Sequence, residues 1–126
     1  MKRNPDLIRE ILLHIETVPY PNQHVTFKIG DYLDDEISNH IQLLCEAGFI
    51  EAYDNPYTCF YEWEQVRLSW AGHEFLDIAK NQSKWEEAKK IILKEAETIN
   101  FEILKQVLLQ LNQPSWLKDP KKPSKN

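Results

Sequence analysis

Apolar residues recur at helical spacing near both ends of the chain and at alternating spacing in its middle. Leu7, Ile8, Ile11, Leu12 and Ile15 form one stripe, the signature of an amphipathic helix. Asn4-Pro5-Asp6 precedes it: a side-chain acceptor for free N–H groups, a ring with preset φ and an acid at the positive dipole end. Val18-Pro19 and Pro21 end it. Val25, Phe27 and Ile29 then alternate with polar residues, which predicts a half-buried strand followed by a Gly30-Asp31 turn. Asp34, Asp35 and Glu36 open a second helix whose apolar side carries Ile37, Ile41, Leu44 and Cys45; acids at its start favour the macrodipole.

Ala47-Gly48 stops this helix, and Phe49, Ile50 and Tyr53 predict a strand. Asp54-Asn55-Pro56 supplies a turn, and Tyr57 to Trp63 a return strand that Val66 and Leu68 can extend. Ser69 is placed to cap a short helix carrying Phe75, Leu76 and Ala79, with Gly72 an unfavourable residue in its first turn. Ser83 and Glu86 fit a capping box ahead of Trp85, Ala88, Ile92 and Ala96. Asn100 caps a last helix bearing Ile103, Leu104, Val107, Leu108 and Leu111. The expected architecture is α+β and mainly helical, with one domain over residues 1–113 and a flexible basic tail over 114–126.

Composition adds exclusions. The 126 residues suit one globular domain. Apolar runs reach three residues, against about 20 for a membrane span. Asp6, Arg9 and Glu10 break the apolar stretch a secretion signal would need after Lys2-Arg3. Cys45 and Cys59 read as reduced, buried thiols, so the expected compartment is the cytoplasm.

The order helix, strand, helix, β-hairpin and further helices is that of a winged helix. The segment ISNHIQLLCEAGFIEA, residues 37–52, resembles the recognition helix and first wing strand of the arsenic-repressor type of bacterial winged-helix regulators. More closely, the chain resembles a family of unknown function found in bacterial and prophage genomes. The likeness lies in MKRNPDLIREILLHIE (1–16), in residues 37–52 and in VRLSWAGHEFLD (66–77). It covers roughly residues 1–111 and implies a winged-helix fold, with no activity attached. One departure stands out: only Gly30 to Leu33 separate the predicted strand from Asp34. Winged-helix regulators have there a complete helix that rests across the phosphate backbone.

Charge bears most directly on function. The net charge of -5 hides a tail with four lysines and one acid, which leaves −8 through Gln113. Between Ile29 and Val66 there is no Lys or Arg, while nine acids occur: Asp31, Asp34, Asp35, Glu36, Glu46, Glu51, Asp54, Glu62 and Glu64. This stretch would form the recognition helix and wing, and such a surface repels phosphate. The expected role is therefore a non-enzymatic adaptor or regulator. It would contact another protein, one with a basic surface, through Tyr53, Tyr57, Tyr61, Trp63, Glu62 and Glu64 of the wing, since aromatic side chains bring large contact area at small entropic cost. The alternative is a DNA-binding regulator using the helix at 35–47, with Ser38, Asn39 and Gln42 on its exposed side to read base edges.

Other chemistry finds little support. His40, Cys45, Cys59 and His73 lack the spacing of a zinc module, so no metal is expected. With three glycines and no Gly-x-Ser-x-Gly elbow, neither a phosphate loop nor a hydrolase nucleophile is present; no cofactor or catalytic residue is expected. The matched stripes of the first and last helices predict that these two pack together, within one chain or across a homodimer.

Overall fold

The structure, a computed structural model, describes residues 2–18, 24–26, 28–54, 62–114 and 116. Among the described residues, five helices and a small antiparallel sheet make it a mainly helical α+β protein. In chain order these are α1 (Pro5–Glu16), β1 (His24–Thr26), α2 (Asp34–Glu46), β2 (Ile50–Asp54), β3 (Glu62–Leu68), α3 (Trp70–Ala79), α4 (Gln82–Leu93) and α5 (Phe101–Leu111). The chain forms two compact units, Met1–Asp77 and Ile78–Asn126. The first joins elements far apart in sequence through the sheet; the second centres on the neighbouring helices α4 and α5.

In the first unit, Asn4 caps α1 as its residue type predicts, its Oδ1 accepting from the N–H groups of Asp6 (3.0 Å) and Leu7 (3.2 Å). Leu7, Ile8, Ile11, Leu12 and Ile15 are all buried, and α1 packs on α2 and β3. The partner of α5 within its own unit is α4. Both strands of the hairpin run antiparallel, with β3 in the centre: the order is β1-β3-β2. Ile50 opposes Leu68 and Glu51 opposes Arg67; the register shifts between Glu51 and Tyr53, where Gln65 and Val66 of β3 stand opposite the single Ala52 of β2.

Three local expectations shift. The first strand is shorter than its alternating pattern: Ile29 belongs to a turn in which the Tyr32 N–H bonds the Ile29 carbonyl at 3.1 Å and Gly30 takes φ 49°, while Phe27 lies outside the described residues. Gly72 does not weaken α3 but permits it. A Cβ there would sit 2.0 Å from the Phe49 carbonyl oxygen, so only glycine lets the helix approach this backbone. Its start is capped by Ser69, whose Oγ accepts from the Gly72 N–H at 3.0 Å and donates to the Gly48 carbonyl.

In the second unit, α4 begins two residues ahead of the expected capping box. Asn81 is the cap, accepting from the Lys84 N–H at 3.0 Å, and Glu86 accepts from the Gln82 side chain at 2.9 Å instead of bonding back to a cap. Trp85, Ala88 and Ile92 are buried, as are Leu104 and Leu108 of α5. Asn100 caps α5 through Ile103 (3.1 Å). Asn112 closes its far end, donating to the carbonyls of Leu108 (2.8 Å) and Ile78 (3.0 Å).

Candidate functional site

The acidic first turn of α2 has no side-chain cap at Leu33. Asp34, Asp35 and Glu36 occupy it instead, where negative charge favours the exposed N–H groups and the dipole. Spacings of four, three and four then place Asp35, Asn39, Gln42 and Glu46 in one exposed row. Two amides are thus flanked by two acids. Ser38, expected beside them, is buried with 8% of its surface exposed. It sits one residue off the row, about 100° round the helix from Asn39, toward the packed side.

His40 also faces inward and is fully buried. Its Nε2 accepts from the Asn4 backbone N–H at 2.9 Å, which leaves Nδ1 to donate to the Glu36 carbonyl at 2.8 Å. The Asn4 side chain in turn donates to the Tyr32 hydroxyl at 3.5 Å. The ring therefore ties α2 to the start of α1, and both its nitrogens are used. Cys45 is half-buried. Burial, its largest influence, raises its pKa above the usual thiol range, opposed by a bond from the Ala52 N–H and aided by nearby Glu46. A thiol held protonated is a poor nucleophile or metal ligand. His73 is exposed on α3, and Cys59 lies outside the described residues. Among the described residues, no three His, Cys, Asp or Glu side chains gather as a metal site.

The wing is placed by its backbone. Tyr53 pairs with Glu64 and Asp54 with Trp63 across β2 and β3, while Glu62 and Glu64 pair with Thr26 and His24 of β1. Four of the six expected docking residues are therefore adjacent in one sheet; Tyr57 and Tyr61 lie outside the described residues. Arg67, the first cation after Lys28, is bound to Glu51 across the ladder, with Nη2 at 2.6 Å and Nε at 2.9 Å from one carboxylate oxygen. Its charge is thereby matched locally. Trp70 follows the wing at the start of α3 and is 82% exposed. Because Ser69 bonds Gly48, this helix starts beside the C-terminal end of α2.

A cavity of about 240 Å³ lies in the same unit, floored by Ile15, Val18, Val66 and Leu68 and rimmed by Glu16, Arg67 and His73. It was not foreseen, because it joins α1, β3 and α3 and has no local motif. It is smaller than the usual small-molecule site of about 300–1,000 Å³, and among the described residues its lining holds no serine, cysteine or lysine nucleophile. No described helix is long and apolar enough to cross a membrane.

Comparison with known proteins places the chain in a family. A family model described as "Hypothetical protein (DUF2513)" matches residues 2–100. A Haemophilus influenzae protein (strain ATCC 51907 / DSM 11121 / KW20 / Rd), described as "Uncharacterized protein", is 36% identical over 110 residues, covering 85% of this chain and 92% of that protein. No solved structure matches.

Proposed function

We propose that this chain, which belongs to the DUF2513 family, is a non-enzymatic adaptor or regulator of winged-helix type. It acts in the cytoplasm by binding another protein that presents a basic surface. The observation that carries this reading is the exposed row Asp35-Asn39-Gln42-Glu46 on α2, in a stretch with no Lys or Arg between Ile29 and Val66. The wing adds Glu62, Glu64, Tyr53 and Trp63 in paired strands, and Trp70 adds an exposed aromatic.

The winged-helix assignment is supported by the order α1-β1-α2-β2-β3, with β1 laid against β3 on the side away from β2. The connection into α2 favours a protein partner over DNA. Residues 28–33 hold a turn and no helix, so the element that would rest on phosphate is lacking. Buried Ser38 leaves only Asn39 and Gln42 of the three residues suited to base edges.

Affinity capture from the host with the full chain and with Asp35→Lys/Glu46→Lys, scored for protein and for DNA, tests the reading. The native chain should retain proteins with basic surfaces, and both salt and the charge reversal should release them. Retention of duplex DNA, lost on Asn39→Ala/Gln42→Ala, would overturn the adaptor in favour of a transcription regulator.

A further inference from the structure

α3 has an outer face opposite the one that packs. Spacings of three, four and seven residues set Trp70, His73, Glu74 and Asp77 on one side of the helix, all exposed, while Phe75 and Leu76 are buried on the other. His73 also stands at the rim of the cavity floored by Ile15, Val18, Val66 and Leu68. Trp70, 82% exposed, is thus rooted one helical turn from the mouth of an apolar hollow. Among the described residues no ion pair holds Glu74 or Asp77, whereas Arg67, the one Lys or Arg of the lining, is already bound to Glu51.

We propose that this site binds a short extended segment of the basic partner: a large apolar side chain enters the cavity past His73, and an arginine or lysine two positions away lies on Trp70 beside Glu74. Size, charge and spacing commit the site to this occupant. At about 240 Å³ the cavity is too small for most small molecules, yet a space of about 150 Å³ already holds a benzene ring, so it takes one side chain. The first unit carries five Lys and Arg against fourteen Asp and Glu over residues 1–77, and the face of a tryptophan attracts Arg and Lys. Residues one turn apart on a helix have Cβ atoms roughly 5–6 Å apart. Alternate residues of an extended chain point the same way at roughly 7 Å, which matches that separation.

The partner is the one of the adaptor reading, on which the site rests; the residues are other than those of the α2 row. NMR titration of the full chain with three blocked pentapeptides, ARALA, ARAAA and AEALA, tests it. ARALA should shift the Trp70 indole N–H and the Val18 and Val66 methyl groups, and bind at least about tenfold tighter than either control. Trp70→Ala should bring ARALA and AEALA to equal affinity. Val18→Phe, which narrows the cavity, should do the same for ARALA and ARAAA, both variants with unchanged circular dichroism. AEALA binding as tightly as ARALA, shifts confined to the α2 row, or no shift with any of the three overturns the site. Failure of ARALA to bind, with host proteins still released by Asp35→Lys/Glu46→Lys, strikes this site and spares the adaptor. Retention of duplex DNA strikes the adaptor and leaves the peptide titration unchanged.

Discussion

In the first unit the bonds that set the geometry cross long stretches of chain: Asn4 meets His40 36 residues away, Ser69 meets Gly48 across 21, and Gly72 lies under the Phe49 carbonyl. In the second unit Asn81 and Asn100 each bond an amide three residues ahead, and the long tie from Asn112 to Ile78 fastens only the end of α5. Local capping makes a helix; contacts between distant residues fix where that helix sits. The acidic row of α2 belongs to the part that needs such fixing, because His40 on the same helix holds it to α1.

The sharpest way to break this contrast is at Gly72. Gly72→Ala should cost about 3 kcal/mol or more, since the methyl meets backbone and not a side chain that can turn away. Hydrogen exchange should locate the loss in the first unit and spare α4 and α5. Next in size is His40→Leu, which removes an acceptor from the half-buried start of α1; a loss of about 2 kcal/mol is expected in denaturant titration. A smaller loss than for Asn100→Ala would mean the long-range bond is incidental. Asn100→Ala itself should cost about 1 kcal/mol, as a missing cap does.

Below these comes Arg67→Ala. Its bond to Glu51 is exposed on both sides, so stability should change by less than about 1 kcal/mol, while an unmatched carboxylate deepens the acidic surface. Binding of a cationic peptide should therefore tighten at low salt; weaker binding would show that Arg67 itself takes part in docking. The smallest effect concerns pH. Burial raises the Cys45 pKa in the folded state, so native protein holds this proton more tightly than the unfolded chain. The contribution is fully present below the ordinary thiol range and is lost as pH rises from that range through the higher folded-state value. Comparing native protein with Cys45→Ser from neutral to alkaline pH should reveal this difference, and parallel curves would remove it.

What could be read in the sequence follows the same division. Asn4, Ser69 and Asn100 announce their helices because a cap and its target lie within three residues. Asn81 and Ser83 are both acceptors two residues apart, and a local rule had no means to choose between them. The acidity of the candidate face was legible as a missing cation over residues 29–66. The burial of Ser38 was not, since one residue's rotation round α2 depends on what packs against it. Nor could His40 be told from a free imidazole: its partner Asn4 is named by the fold alone. Gly72 is the clearest case, unfavourable by propensity yet required by a carbonyl 23 positions earlier.

The strand order carries a consequence for how the chain reaches this state. Among the described residues β1 pairs with β3 alone, so the earliest described strand to leave the ribosome waits until residue 64 or so has followed it. Meanwhile α2, β2 and β3 can assemble from neighbours. Closing the longer loop adds an entropic cost that grows only slowly with its length, but it comes before any bond of that pair is made. β1 is thus the natural last arrival, and until it docks one edge of β3 is open to any other extended chain. Synthesis is the moment at which this small sheet is most exposed to wrong pairing.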